Sequence, residues 1–287
     1  MKNNPLVSVV ITCYNSDEYI GKNLDNLANQ TYKNIEVIIV DDGSTDNSAK
    51  IIKSYENIFK KKGETLKYVY QKNNGVGSAM NRGLKEIQGE YFAWIDSDDF
   101  YELDAIEQML KFMVDGGYDY IRGCSRHIDE KNLKEIGIMK SKYPNAKNIF
   151  DIFFFHKDDY QYSGVYMVKT NFFDKVILNR NIYESKAGQN WQLLLPIFYD
   201  KTGKYGYLDK IVLNYRVTPN SMSRSAKKID EKIEKSKAHE DILMHVLGSM
   251  RMNFFKKMQC YMYVKIHYIK ERLGLRTSNM KKKAFEK

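Results

Sequence analysis

The sequence has few cysteines, few prolines and no long apolar run. Its three cysteines, Cys13, Cys124 and Cys260, lie far apart and lack the spacing of a zinc site or a disulfide framework. This pattern is typical of a protein in a reducing compartment whose cysteines are structural thiols. No stretch reaches the roughly 18 apolar residues of a membrane-spanning helix. Residues 1–5 are mostly polar and lead directly into an apolar run, which predicts that no signal peptide is present and that the protein is cytoplasmic.

The body of the chain also lacks an excess of charge. Residues 1–223 hold 29 basic and 29 acidic groups, whereas residues 224–287 hold 17 Lys and Arg against 7 Asp and Glu. A neutral body argues against general nucleic-acid binding. We therefore expect a globular domain over residues 1–223 and a basic, amphipathic helical tail over residues 224–287 with a partner of its own.

Apolar runs alternate with amphipathic segments in the first part of the chain. The pattern predicts strands at 7–12, 35–40, 66–70 and 91–95, and helices at about 17–29, 47–59 and 78–87. Such alternation implies right-handed crossovers and a parallel sheet. Residues 1–115 thus form a nucleotide-binding half. Residues 116–223 extend the sheet, with strands at 118–122, 164–168 and 207–215. The family resemblance given below implies that they form the acceptor half.

Polar side chains follow three of these strands at the point where each strand ends. They are Thr12, Tyr14 and Asn15 after the first strand, Asp42 after the second, and Asp96 and Asp98 after the fourth. The carboxyl ends of parallel strands meet at one crevice, so these groups should converge. The ring of Tyr14 can stack on a base. The Asp42 carboxylate can accept hydrogen bonds from a base imide or a ribose hydroxyl.

The sequence Asp96-Ser97-Asp98 predicts a metal site. In an extended segment residues i and i+2 point the same way, so the two carboxylates face one site and Ser97 turns away. Two carboxylates held together repel each other unless a cation lies between them. Oxygen ligands of this kind suit Mg²⁺ or Mn²⁺. A solvated acidic turn that caps the next helix is the structural alternative, and we expect Asp99 to serve as that cap.

Four segments resemble the family 2 glycosyltransferases with the GT-A fold. They are Val-Ser-Val-Val-Ile-Thr-Cys-Tyr-Asn at 7–15, Val-Asp-Asp-Gly-Ser-Thr-Asp at 40–46, Asn-Arg-Gly at 81–83 and Asp-Ser-Asp-Asp at 96–99. They occur in the family's order and spacing over about residues 5–115. The resemblance implies a nucleotide-diphospho-sugar transferase fold, with a mostly parallel central sheet flanked by helices, followed here by a C-terminal helical extension. It also implies a nucleotide-sugar donor, usually a UDP-sugar, a divalent metal, and inversion at the anomeric carbon.

The motif positions imply roles for individual residues. Thr12, Tyr14 and Asp42 would hold the uracil and the ribose, with Asn15 beside them. Asp96 would lie near the ribose and the donor sugar, and Asp98 would bind the metal that grips the diphosphate. Gly75, in the loop 74–77, together with Asn81 and Arg82, would close on the nucleotide. Many relatives have Arg where this chain has Met80, which removes one expected phosphate contact.

The second half departs from the family at the expected catalytic base. Relatives commonly have Glu-Asp before an aromatic residue, with the Asp as base, whereas this chain has Gln189-Asn190 before Trp191. An amide can position an acceptor hydroxyl but cannot take its proton at neutral pH. Either Gln189 and Asn190 position the acceptor and the base is Glu184 or Asp99, with Glu184 favoured, or the chain binds sugar nucleotide and transfers poorly. The two amides are also plausible caps of a helix that begins at Trp191.

The segment 216–224 resembles the family's mobile loop after the last core strand. Ser223 and Arg224 would close over the diphosphate when donor binds. Relatives often have His where Thr218 stands, so the match is partial. Its structural alternative is a solvated turn.

The tail interleaves apolar or aromatic residues with lysines and arginines. We expect two or three helices there, of a kind that can lie on an anionic membrane. The alternative is a helical hairpin packed on the body or on a second subunit, as in a homodimer. Membrane contact would put the protein at the inner face of the plasma membrane.

These features predict an inverting, metal-dependent glycosyltransferase. It would transfer a sugar to a lipid-linked saccharide acceptor in the synthesis of a bacterial surface polysaccharide such as a capsule. One rival is a polyprenyl-phosphate glycosyltransferase, and another is a non-catalytic protein that binds sugar nucleotides. A dinucleotide-dependent oxidoreductase ranks lower, because no Gly-x-Gly-x-x-Gly follows the first strand.

Overall fold

The computed structural model describes residues 4–155, 162–186, 188–218 and 229–274. The strands are β1 (Val7–Cys13), β2 (Ile35–Asp41), β3 (Thr65–Tyr70), β4 (Tyr91–Asp96), β5 (Phe100–Tyr101), β6 (Tyr120–Asp129), β7 (Glu135–Met139), β8 (Tyr166–Lys169) and β9 (Tyr205–Val217). The helices are α1 (Ile20–Ala28), α2 (Ser48–Lys61), α3 (Val76–Glu86), α4 (Ala105–Gly116), α5 (Ile149–Phe154), α6 (Thr170–Val176), α7 (Gln189–Tyr199), α8 (Ile229–Ser249) and α9 (Phe254–Arg272).

All nine described strands join one sheet. Its order is β3-β2-β1-β4-β8-β6-β9-β5, and β7 pairs with β6. Strands β1 to β4, β6 and β9 run in one direction, and β5, β7 and β8 run against them. The fold is therefore the mixed α/β fold with a mostly parallel centre that the sequence predicts.

The central strands are buried on both faces. Every residue of β2 is buried, as are the first five of β1 and of β4. Side chains alternate between the two faces of a strand, so helices must cover both sides of the sheet. This explains why these strands read as continuous apolar runs. The apolar cluster at 149–154 is likewise core, since Phe153 and Phe154 of α5 are buried.

The start of α1 differs from the prediction. The helix begins at Ile20, later than expected, and Tyr19 precedes it without a side-chain cap. The Ser16 carbonyl accepts hydrogen bonds from the N–H groups of Tyr19 and Ile20, while its hydroxyl lies 2.8 Å from the Ser97 hydroxyl. Ser16 thus connects the end of β1 to the loop after β4, and it gives the buried Ser97 hydroxyl a hydrogen-bond partner.

Close approach of α3 to the sheet requires a glycine at position 83. A methyl group added there would lie 2.5 Å from Val10 Cγ1 and 3.3 Å from Val40 Cγ2. Gly83→Ala should lower the free energy of unfolding by about 1–2 kcal/mol, because overpacking outweighs the better helix propensity of alanine. Urea unfolding measures this. Gly137→Ala, where nothing lies within 4 Å, is the control and should change it by less than about 0.5 kcal/mol. Equal effects would contradict the packing argument.

Two helices form the C-terminal extension. Helices α8 and α9 pack as a hairpin, in which Glu240 pairs with Lys265 and Arg272. Lys256 of α9 pairs with Asp151 of α5, so the hairpin is held to the body. The expected domain boundary at 223/224 lies outside the described residues. Among the helices of the described ranges, none has the length and apolar character needed to span a membrane.

Candidate active site

Strand register brings the polar strand ends to one edge. Thr12 of β1 is paired with Val40 of β2 on one side and with Asp96 of β4 on the other. One residue further, the Asp42 N–H donates to the Cys13 carbonyl at 2.8 Å. Paired residues on parallel strands point to the same face, so Thr12 and Asp96 share a face. The side chain of Tyr14 is 51% exposed at this edge.

Three carboxylates gather just beyond β4. Asp96, Asp98 and Asp99 each place a carboxylate oxygen so that the three atoms lie within 4.8 Å of one another. Ser97 turns away, as its bond to Ser16 shows. The expectation that Asp99 caps the next helix is wrong. The side chain of Asp99 is 1% exposed and its Oδ1 accepts the Arg216 N–H at 2.8 Å, while Asp104 precedes α4.

The cluster has the chemistry of a hard-cation site. Burial, followed by the charge of Asp98, raises the pKa of Asp96 to about 6. Burial also raises the pKa of Asp98, and burial together with its two neighbours raises the pKa of Asp99 well above its usual value. Asp99 Oδ2 is buried with no hydrogen-bond partner in the described ranges. Oxygen donors in a negative, poorly solvated site fit Mg²⁺ or Mn²⁺.

The raised pKa of Asp96 predicts a pH-dependent cost to the metal-free fold. A carboxyl with a folded pKa above its unfolded value stabilises the fold below the unfolded pKa and loses that contribution as pH rises through about 6. Asp96→Asn should therefore raise the melting temperature in EDTA more at pH 7 than at pH 5. Asp115→Asn, on the exposed surface of α4, should show no such difference. A gain that is equal at both pH values would contradict the burial of Asp96.

Arg216 is a member of this site to which sequence reasoning gave no role. It is buried at the end of β9, and its Nε donates to the Asp98 carbonyl at 2.9 Å. Its guanidinium lies 5.0 Å from the ring centroid of Tyr19 and 5.9 Å from that of Phe100. The Tyr19 hydroxyl in turn donates to Glu130. Arg216 thus fixes the loop that carries Asp98 and Asp99. Its place as the first residue of the segment 216–224, which resembles the family's closing loop, was the available signal.

Asp42 organises the loop after β3. Its Oδ1 accepts from Gln71 Nε2 at 2.8 Å and from the Asn74 N–H at 2.9 Å, and its Oδ2 accepts from the Gly75 N–H at 2.9 Å. Gly75 has a φ of +90°, a conformation that side chains with a Cβ rarely adopt. The Asn74 side chain then donates to Glu184 Oε2 at 3.1 Å. Asp42, Gly75 and Glu184 therefore lie around one loop at the same edge.

Asn15 and Asn81 have structural partners. Asn15 Oδ1 accepts the Thr45 N–H at 2.8 Å, which ties the end of β1 to the loop after β2. The Asn81 amide exchanges two hydrogen bonds with the backbone of Ile182, at 2.7 and 2.9 Å. Both residues position neighbouring segments. Arg82 is exposed beside Glu86 on α3, and its role toward a nucleotide stays a prediction.

The amide pair lies at the start of α7. The helix begins at Gln189, not at Trp191, and Gly188 occupies the position before it with a φ of +74°. Capping by the two amides is therefore wrong. Asn190 Oδ1 accepts from Trp94 Nε1 at 2.8 Å, and Trp94 and Asp96 share a face of β4. Asn190 thus lies on the same face of the sheet as Asp96.

Two predicted residues cannot be placed. Ser223 and Arg224 lie outside the described residues. Thr218, the last described residue before them, is buried.

A cavity lies at the opposite end of the sheet from the carboxylate cluster. It measures about 760 Å³ and is lined by the first residues of β6 and β9, Tyr120 and Tyr205, and by the Asp151–Lys256 ion pair. Ligands of open α/β sheets bind outside the carboxyl ends of the strands. The candidate active site is therefore the edge that holds Tyr14, Asp42 and Asp98.

A mostly parallel sheet with a cluster of three carboxylates beyond β4 is the arrangement that the resemblance to the GT-A glycosyltransferases predicts. The family model "Glycosyl transferase family 2" matches residues 8–169. The chain belongs to this family.

Sequence relatives include glycosyltransferase GlyA of Streptococcus pneumoniae, 30% identical over 247 residues that make up 76% of this chain and 31% of GlyA. Putative glycosyltransferase EpsH of Bacillus subtilis is 44% identical over 107 residues, 37% of this chain and 30% of EpsH. The chain spans between about a third and a half of the curated relatives it matches.

Solved structures share the fold. S. aureus TarS residues 1–349, in complex with UDP-GlcNAc, matches 95% of this chain and 76% of its own with a TM-score of 0.68 at 19% identity. Mannosyltransferase PcManGT of Pyrobaculum calidifontis, in complex with GDP-Man and Mn²⁺, matches 94% of this chain and 73% of its own with a TM-score of 0.61 at 14% identity.

Proposed function

We propose that this chain transfers a sugar, with inversion, from a UDP-sugar to a saccharide acceptor. The observation that carries the proposal is the convergence of Tyr14, Asp42 and the Asp96–Asp98–Asp99 cluster at one sheet edge. The UDP-GlcNAc bound by TarS supports a UDP-linked donor, and the Mn²⁺ bound by PcManGT supports a divalent cation.

The donor would lie across this edge. Tyr14 presents an exposed ring on which uracil can stack, and Thr12 lies beside it on the strand. Asp42 holds the Gly75 loop through three accepted hydrogen bonds and keeps one lone pair, on Oδ2, for a base or ribose donor. Asp98, with Asp96 and Asp99, would hold the cation next to the diphosphate. When bound, the cation supplies a Lewis acid for the negative charge that develops on the leaving phosphate.

Glu184 is the stronger of the two candidate bases. A base must reach the acceptor hydroxyl, and Glu184 is exposed, whereas Asp99 is buried and bonded to the backbone of Arg216. Glu184 is bonded to Asn74, and the next residue, Ser185, accepts from Gln192 Nε2 of α7 at 2.9 Å. We assign proton removal to Glu184, and acceptor positioning to Gln189 and Asn190.

The acceptor is proposed to be a lipid-linked saccharide in bacterial surface polysaccharide synthesis, at the inner face of the plasma membrane. Transfer directly to a polyprenyl phosphate is the alternative acceptor chemistry. A non-catalytic sugar-nucleotide-binding role is the second candidate function. The observation that favours it is Asn190, an amide at the position where relatives carry the catalytic carboxylate.

The direct test is donor turnover. The full chain is incubated with Mn²⁺ and a panel of UDP- and GDP-sugars, and nucleotide release and thermal protection are followed. We expect one UDP-sugar to protect the fold and to release UDP slowly by hydrolysis, faster with acceptor present. Protection without any UDP release would favour the non-catalytic role. Absence of both would refute donor binding.

A further inference from the structure

An exposed apolar stripe runs the length of α9. It consists of Phe255, Met258, Met262, Ile266, Ile269 and Leu273, whose side chains are 42–80% exposed. These residues recur every three or four positions, so they share one face of the helix. With α9 spanning 19 residues, the stripe is about 28 Å long. Single exposed apolar residues are ordinary, but a continuous row marks an interaction surface.

The stripe faces away from the body. Cys260 and Val264, two residues before and after Met262, are buried, and so is Tyr268. Residues two apart on a helix point to nearly opposite sides, so the buried face and the stripe lie back to back. The hairpin packing with α8 therefore does not need the stripe. The stripe is therefore available to another partner.

Charge identifies that partner as anionic. Helix α9 carries five Lys and Arg against one Glu, and three of these cations, Lys256, Lys265 and Arg272, form ion pairs with Asp151 and Glu240. Lys257 and Lys270 add positive charge, and the sequence continues with Arg276 and three lysines at 281–283. At 100° per residue, Lys265 and Arg272 flank one side of the stripe and Lys270 flanks the other. A second copy seated on the same stripe would bring two such cationic helices together, which like charges oppose. An apolar row between basic flanks fits the interface of an anionic bilayer.

We propose that the α9 stripe is the docking surface for an anionic lipid bilayer. Its C-terminal part lies on the acceptor side of the molecule. Lys265 and Arg272 bond to Glu240 of α8, and the adjacent Asp241 accepts from the Tyr183 hydroxyl at 3.1 Å. Tyr183 also stacks on His245 with ring centroids 3.9 Å apart, and Glu184 follows it. A bilayer on the stripe would therefore lie one helix away from the proposed base.

This inference goes beyond the proposed transfer reaction, and its test does not use that reaction. The full chain is sedimented with vesicles of phosphatidylcholine alone and with vesicles that contain about 30 mol% phosphatidylglycerol. We expect binding to the anionic vesicles only. Met262→Glu/Ile266→Glu should weaken this binding about tenfold or more, because two charges enter the apolar row.

A matched variant distinguishes loss of the apolar stripe from the general effect of added negative charge. Ile136→Glu/Ile138→Glu adds the same charge at exposed apolar positions of β7 and should bind like the parent. Ile269→Ala/Leu273→Ala, which adds no charge, should also weaken binding. Melting curves check that each variant folds.

Four results would overturn the proposal. The first is no binding to anionic vesicles, and the second is an equal loss of binding in the stripe variants and the β7 variant. The third is that the stripe variants still bind whereas Lys281→Gln/Lys282→Gln/Lys283→Gln does not. The fourth is a dimer in light scattering that Met262→Glu/Ile266→Glu converts to a monomer. The last result would show that a second copy covers the stripe.

Discussion

Asp98→Asn should abolish the stabilisation of this protein by Mn²⁺ and weaken its Mn²⁺ affinity by about 100-fold or more, because the side chain that we expect to bind the metal loses its negative charge. The variant keeps the shape of the side chain and removes one of three closely spaced, mutually repelling carboxylates. Without metal the variant should melt at or above the parent temperature. Loss of metal binding would then not be a consequence of unfolding.

Donor affinity and turnover should also decrease in Asp98→Asn, because the variant no longer binds the metal. UDP affinity measured by calorimetry in the presence of Mn²⁺ should drop to the value that the parent shows in EDTA. Donor hydrolysis should fall by about 1000-fold, the several kcal/mol that a Lewis acid supplies. Asp104→Asn, directly before α4 and outside the cluster, is the matched control. An Asp98→Asn protein that keeps its Mn²⁺ affinity would remove the metal site from Asp98.

Glu184→Gln should reduce the transfer rate by about 100- to 10,000-fold and leave donor affinity within about twofold of the parent. The amide keeps an acceptor oxygen for the Asn74 side chain, so the loop around Gly75 should hold its place. The readouts are kcat for transfer and the dissociation constant of the donor. Glu56→Gln, at an exposed position on α2, is the control and should change neither.

The departure at Asn190 offers a rescue experiment. Asn190→Asp restores the carboxylate that relatives have, and its oxygen can still accept from Trp94 Nε1. If Glu184 is the base, the double variant Glu184→Gln/Asn190→Asp should recover part of the lost rate. Full activity in Glu184→Gln alone would show that the proton leaves by another group.

The nucleotide-binding half was predictable because its signals are local. The strands β1, β2 and β4 are buried on both faces and read as unbroken apolar runs, and the acids follow them directly. Alternation of side chains along an extended segment is enough to turn Asp96 and Asp98 one way and Ser97 the other. The order of strands and helices then requires that parallel strand ends share an edge. The fold and the meeting of Thr12, Asp42 and Asp96 follow from these rules, whereas the family was predicted from the resemblance of four motifs.

The second half of the site depends on contacts between residues distant in sequence. Asp99 belongs to the carboxylate cluster because Arg216, 117 residues later, holds its Oδ1. Asn190 lies on the face of Asp96 because Trp94, 96 residues earlier, holds its amide. Neither pairing leaves a periodic pattern in the sequence, since periodicity records only which face is buried.

The sequence by itself determined the sheet, its buried strands, the acids at one edge and the basic character of the tail, because each depends on residues within a few positions of one another. The tertiary structure decided that Arg216 and Asp99 join the site, that Glu184 lies beside the Gly75 loop, and that one face of α9 stays exposed. Side chains more than about a hundred residues apart meet only when packing of the whole domain fixes where each element lies.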